Sequence, residues 1–183
     1  DNGIGMSEED LQANLGTIAK SGTEEFLKKI GDKKGDVSQI GKFGVGFYSS
    51  FMVSDQVVVS SKKFNSEQGY LWMSDGKGNY TIEKSDTKKQ GTEITLSIKE
   101  TESEFLDKFR IQEIVKKYSD FVPIPIYVSS AEDKEEESKE QINSAEAIWL
   151  KDKTKIKKED YDNFYKQSST YYDEPLKTIH FKA

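Results

Sequence analysis

Gly41-Lys42-Phe43-Gly44-Val45-Gly46 stands between Val37-Ser38-Gln39-Ile40 and the apolar run Phe47-Tyr48-Ser49-Ser50-Phe51-Met52. Three glycines at this spacing let the backbone turn sharply and leave amide N–H groups unshielded by Cβ atoms. An apolar run able to start a helix follows at once, which sets those amides at a helix N-terminus, where anions and phosphates bind. A plain turn satisfies the same residues. A second glycine motif, Asp1-Asn2-Gly3-Ile4-Gly5, opens the chain, and the pair together points to a nucleotide site. The Asp1 carboxylate accepts hydrogen bonds only. Set deep in a pocket, it takes the exocyclic amine of adenine and rejects guanine; set on the surface, it makes an ordinary Asp-Asn-Gly turn.

The chain has 183 residues, enough for one large domain or for one domain and part of another. Charged residues make up 33% and hydrophobic ones 34%, yet 10 Phe, 9 Tyr and 2 Trp supply a core. A net charge of −6 argues against general binding to nucleic acid or to an anionic membrane. Arg110 is the only arginine among 27 basic residues, so no arginine finger is expected within this stretch. With no cysteine, disulfides and thiolate metal sites are excluded, and the single His180 rules out a histidine cluster. No apolar run is long enough to span a bilayer. The chain begins without Met, inside a motif, and is expected to be a fragment of a soluble, cytoplasmic protein.

Ser7-Glu8-Glu9-Asp10 predicts a helix start with Ser7 as N-cap and Asp10 completing a capping box. Leu11, Leu15 and Ile18 follow at helical spacing, and Asn14 is read as lying opposite them, free to reach a ribose or phosphate. Ser21-Gly22-Thr23 would end this helix and Thr23 would cap a second through Ile30. The glycine-hinged interval Thr17–Ile40 is either a surface helix–loop or a mobile lid, in which Lys20 meets a phosphate.

Beyond the loop the period changes. Residues 56–60, 69–73, 79–82 and 92–98 read as strands separated by turn clusters, and short connections make them an antiparallel sheet with helices on one face. Ile94, Leu96 and Ile98 are expected on its buried face. A helix over 103–119 turns Phe105, Phe109, Ile114, Val115 and Tyr118 inward; Pro123–Val128 is expected as an edge strand. Residues 131–141 form a charged linker rather than a metal site. Ala147–Leu150, a helix over 158–167 and a strand over 178–181 begin a second domain. Trp72 and Trp149 are expected in the core. Thr92, after Gly91, makes an edge hydrogen bond or else supports Asp1 and a bound water.

Asp1–Met6, Asn14–Thr23, Ile40–Ser49, Gly91-Thr92-Glu93, Lys117–Asp120, Ala147-Ile148-Trp149 and Glu159–Lys166 together resemble successive motifs of the heat shock protein 90 family of molecular chaperones. The short charged linker resembles the bacterial branch. The resemblance implies an α+β, two-layer helix-on-antiparallel-sheet sandwich of the GHKL (Bergerat) ATPase type. It implies an N-terminal ATP-binding domain over 1–130, a linker over 131–141 and the start of a middle domain over 142–183.

The same resemblance implies that Asp1 binds the adenine amine, with Thr92 supporting it through water and Gly5 and Met6 beside the base. Asn14 would sit near ribose and phosphate. Lys20 and the amides of Gly41, Lys42, Phe43, Gly44, Val45, Gly46 and Phe47 would hold the phosphates of ATP or ADP. The family's catalytic glutamate and its Mg2+-binding asparagine precede the Asp-Asn-Gly motif. No catalytic or metal-binding residue is therefore assigned here, and the chain by itself is expected to bind ATP weakly and hydrolyse none.

The implied function is that of an ATP-dependent chaperone, a homodimeric clamp acting on client proteins with cochaperones. A histidine kinase or MutL-like ATPase with the same pocket, or an interaction module without nucleotide chemistry, are the alternative readings.

Overall fold

Valines at alternate positions in Gln56-Val57-Val58-Val59-Ser60-Ser61 make one face of an extended segment apolar, and that face organises the first part of the molecule. In the computed structural model, which describes residues 1–17, 43–133, 140–169 and 173–181, this segment is the central strand. The strands are β1 (Ser54–Lys62), β2 (Gly69–Ser74), β3 (Tyr80–Ser85) and β4 (Gly91–Ile98). They form one antiparallel sheet in the order β3-β2-β1-β4. The four expected strands are thus present, each slightly longer than its apolar run. The chain divides into two units, Asp1–Ser103 and Glu104–Ala183.

Val57 and Val59 of β1 are fully buried, and Ser61 continues the same face. Ser54 is buried too, although the odd spacing to Val57 should turn it outward. A register irregularity against β4 between Ser54 and Gln56 absorbs the extra residue and restores the inward direction. Across the sheet Val59 pairs with Trp72 on one side and Ile94 on the other. Trp72 is in the core as expected, while Ile94, on the same face, is half exposed. Leu96, opposite Val57 in β4, still packs against the core.

The helix α1 (Glu8–Leu15) starts as the sequence predicts. Ser7 caps it, accepting from Asp10 N–H, and the Asp10 carboxylate accepts from Ser7 N–H at 3.0 Å. It is shorter than expected, with Gly16 as C-cap. Ile18 and the second short helix lie outside the described residues. Leu11 is wholly buried against Val57, Val59 and Trp72, and Met6, Leu15, Phe47 and Phe51 pack around that cluster. Burying a leucine of this kind stabilises the fold by roughly 1.5–3 kcal/mol. The apolar run after the glycine loop gives a 3₁₀ turn (Gly46–Ser49) and then only one turn of α-helix, α2 (Ser50–Val53), before β1 begins.

In the second unit, α3 (Lys108–Tyr118) is capped by Asp107, whose carboxylate accepts from Arg110 N–H at 2.8 Å. Ile111, Ile114 and Val115 are half buried, but Phe109 and Tyr118, expected inward, are exposed. Phe109 precedes Ile111 by two residues, about 200° round the helix, and so belongs to the other face. Tyr118 sits in the last turn. Pro123–Val128 does not form a strand; the prolines withhold ladder donors, and a single bridge joins Tyr127 to Gln141.

Two buried polar side chains hold this region instead. Asn143 accepts from Ile126 N–H at 2.8 Å and donates to the carbonyls of Val122 (2.9 Å) and Ile124 (3.0 Å). Asp120 accepts from Ser144 N–H (2.9 Å), Ser144 Oγ (2.8 Å) and Lys116 Nζ (2.8 Å). The last helix, α4 (Lys158–Ser168), places Phe164 against Phe121 and Trp149, with ring centroids 5.5 and 5.9 Å away. Trp149, expected in the core, keeps its other side half exposed. No strand forms over Thr178–Phe181.

Leu11→Ala should lower the stability of the first unit by about 2–5 kcal/mol in urea unfolding. The exposed Met52→Ala should stay within about 0.5 kcal/mol.

Burial works to raise the Asp120 pKa, but the Lys116 ammonium and the two Ser144 donors outweigh it and hold the carboxyl below its ordinary 3.8. A depressed aspartate stabilises fully above that ordinary value, and the stabilisation is lost as pH falls through the folded value. Asp120→Asn should therefore cost about 1–3 kcal/mol at neutral pH. In urea titrations the gap to the unsubstituted protein should close as pH drops below 3.8.

Candidate nucleotide site

The leading segment Asp1–Met6 runs across the ends of β1 and β4 and is fixed there by backbone bonds. Phe64 N–H donates to the Ile4 carbonyl at 2.7 Å and Thr92 N–H to the Asp1 carbonyl at 3.3 Å. The Asp1 amino group donates in turn to the Thr92 carbonyl at 2.7 Å. Two glycines permit this approach. Gly5 has φ +63°, and a Cβ there would stand 1.9 Å from the Lys62 carbonyl oxygen; Gly91 has φ +119°, and its Cβ would stand 2.1 Å from the Asp1 carbonyl oxygen. Neither position accepts a side chain without backbone movement.

Asp1, Gly5, Met6 and Thr92, four of the predicted site residues, are thereby brought together. The hub beneath them is Ser61, a residue the sequence reading did not single out. Its buried hydroxyl lies 2.9 Å from Met6 N, 2.9 Å from the Gly91 carbonyl and 2.9 Å from Thr92 Oγ1. The signal was in the strand: Val57, Val59 and Ser61 share a face, and a hydroxyl that continues a buried valine row needs polar partners.

Asp1 is exposed rather than deep. Its Oδ1 accepts from Gly3 N–H at 2.8 Å, the bond of an Asx turn, while the carboxylate's other oxygen remains able to accept from a ligand. Asn14 follows Leu11 by three residues, so the two are neighbours on α1 rather than opposite, and Asn14 is half buried.

α1 is anchored to the sheet by Asp10, 2.6 Å from Lys63 Nζ. Burial alone would raise the Asp10 pKa, but the Lys63 ammonium and the Ser7 bonds hold it below the usual carboxylate range. The Tyr48 hydroxyl donates to the Leu15 carbonyl at 3.1 Å, tying the turn after the glycine loop to the end of α1. Partial burial raises the Tyr48 pKa.

Phe43 and Val45 are exposed, Gly44 has φ +62°, and a Cβ at Gly46 would meet nothing within 4 Å. Among the described residues, nothing packs on the Cα of Gly46 at the end of the glycine loop. Phe47 leaves the loop and packs edge-on against Trp72, with centroids 5.6 Å apart. Lys20, Gly41, Lys42 and the interval 18–40 lie outside the described residues.

A cavity of about 190 Å³ adjoins Leu15, Tyr48, Trp72 and Tyr80. Trp72 Nε1 is buried and has no hydrogen-bond partner among the described residues. A larger cavity, of about 610 Å³, lies in the second unit beside Trp149, Tyr161 and Phe164. There Tyr161 Oη and His180 Nδ1 pair with each other at 2.7 Å. The candidate site is placed in the first unit, where a carboxylate and two hydroxyls sit at the ends of β1 and β4, and the end of the glycine loop packs near Leu15 and Trp72. Among the described residues no cluster of acidic or histidine side chains fit to hold a metal is found.

Residues 1–117 match the sequence profile of the histidine kinase-, DNA gyrase B-, and HSP90-like ATPases, and residues 132–183 match that of the Hsp90 protein family. The chain belongs to the Hsp90 family.

That membership accounts for the antiparallel sheet with its helix layer and sets aside the histidine-kinase and mismatch-repair readings. The Hsp90 relatives include Chaperone protein HtpG of Paramagnetospirillum magneticum, 52% identical over the whole chain, which covers 29% of that protein. The same-named protein of Wolinella succinogenes is 50% identical over the whole chain and 30% of its own length. That of Helicobacter pylori is 47% identical, again over the whole chain and 31% of its own length. The chain thus spans about three tenths of these Hsp90 relatives.

Gly5→Ala should destabilise the first unit by about 1–3 kcal/mol, since it adds both strain and a backbone clash. Gly46→Ala should be neutral or stabilising by up to about 1 kcal/mol. Scanning calorimetry of the two variants checks the contrast.

Proposed function

We propose that this chain carries most of the adenine-nucleotide site of an ATP-dependent chaperone of the Hsp90 type. The observation that carries the reading is the meeting of Met6 and Thr92 on the Ser61 hydroxyl at the ends of β1 and β4, with Asp1 paired to Thr92 through the backbone. In this reading Asp1 and Thr92 hold the base, Gly5 and Met6 lie along it, and Asn14 stands toward ribose and phosphate. Lys20 and the amides from Gly41 to Phe47 receive the phosphates with Mg2+. The room at Gly46 among the described residues and the exposed Asp1 carboxylate are consistent with such a ligand. Bound ATP supplies a hydrolysable phosphoanhydride, and the residues of this chain bind and orient it.

The whole protein is then an ATPase and a homodimeric, cytoplasmic chaperone for client proteins, assisted by cochaperones. The relatives' name, chaperone, and the match continuing through residues 132–183 support this extension. The domain reading that goes with it is a nucleotide-binding domain over 1–130, a charged linker over 131–141 and the start of a middle domain over 142–183. Among the described residues no helix is long and apolar enough to cross a membrane.

Calorimetric titration of Mg–ATP into the full-length protein tests the site. Asp1→Asn presents a donor to the adenine amine in place of an acceptor and removes a bond to a charged group, about 1.5–3 kcal/mol. Affinity should fall roughly ten- to a hundredfold. Unchanged affinity would remove Asp1 from the base-binding role.

A further inference from the structure

Ser61 is fully buried, and its hydroxyl carries one proton and two lone pairs to meet three partners. The Gly91 carbonyl, 2.9 Å away, only accepts, so it takes the Ser61 proton. Met6 N–H only donates, and at 2.9 Å it occupies one Ser61 lone pair. Thr92 Oγ1, also at 2.9 Å, is left with one way to bond: it donates its own proton to the second lone pair. With that proton committed inward, the Thr92 hydroxyl offers only lone pairs to anything on its open side. Thr92 is half buried, and its backbone pairs with that of Asp1, whose carboxylate also only accepts.

We infer that Ser61 is a positioning residue that fixes the Thr92 hydroxyl as an acceptor and so sets the site's preference for a 6-amino over a 6-oxo purine. The inference rests on the nucleotide-binding reading above. In direct contact an amine N–H meets two acceptors, whereas a 6-oxo group in the same place turns lone pairs onto lone pairs. Without the Ser61 hydroxyl, Thr92 is free to rotate and donate to a 6-oxo group. Ser61 touches no ligand; it acts through the direction of one proton.

The test compares Mg–ATP and Mg–inosine triphosphate binding to the full-length protein by calorimetry, with circular dichroism to establish folding. Ser61→Ala should lower the ATP-to-inosine-triphosphate affinity ratio about three- to tenfold. Ser61→Thr restores the hydroxyl and should keep the ratio within about twofold of the unsubstituted protein. Thr92→Val, which leaves Ser61 in place and deletes the acceptor, should lower the ratio as Ser61→Ala does, and it serves if Ser61→Ala does not fold. A ratio unmoved by Ser61→Ala or by Thr92→Val, whatever happens to overall affinity, overturns the role given to Ser61 while the nucleotide site stands. No ATP binding by the unsubstituted protein overturns both readings.

Discussion

Two backbones meet at the ends of β1 and β4 with no space for a side chain between them. The Lys62 carbonyl lies where a Cβ of Gly5 would be, and the Asp1 carbonyl where one of Gly91 would be. Both glycines hold positive φ, a region open to glycine at little steric cost. This contact lets a segment with few apolar side chains lie on the sheet as though it were another strand. Met6 then reaches the core, Asp10 reaches Lys63, and α1 is aimed so that Leu11 lands on Val57, Val59 and Trp72. The carboxylate and hydroxyl of the candidate site are by-products of the same contact, carried by the residues that flank the glycines.

Polar groups in this part of the molecule are few and shared. One serine serves three partners, and one aspartate serves both the cap of α1 and Lys63, just past the end of β1. Sharing of this kind leaves little rotational freedom, because each proton has one place to go. Trp72 is the exception: its ring is enclosed by Phe47 and Tyr80, while its indole N–H has no partner among the described residues.

Much of this was legible in the residues. The valine alternation of β1 and the turn clusters gave the sheet, and Ser7 with Asp10 gave the start of α1, because these signals depend on neighbours close in sequence. The misses arose where distant neighbours decide. Ile94 has a core-facing position yet stays half exposed, and Trp149 has one covered side only. Phe109 lies about 200° round the helix from Ile111, so it faces away from the half-buried side. Pro123–Val128 was expected as an edge strand, but it bends at Pro123 and Ile124 and keeps a single bridge at Tyr127, because its prolines withhold ladder donors. The glycine motifs were seen as loops; that they press Gly5 and Gly91 against carbonyls, and that Ser61 sits beneath, follows from the register of β1 with β4.

The grip of Asn143 and Asp120 on residues 122–126 and 144 has a consequence for how this family of sequences can drift. It closes the base of the charged stretch between Tyr127 and Gln141 from below, so the flanking segments keep their places whatever the stretch contains. The entropy of joining two fixed ends grows only as the logarithm of the number of residues between them, about 0.6 kcal/mol for each doubling. Insertions and deletions there are thus nearly invisible to the packed parts on either side. The stretch is free to change length and charge over evolutionary time while the geometry at its two ends is inherited intact.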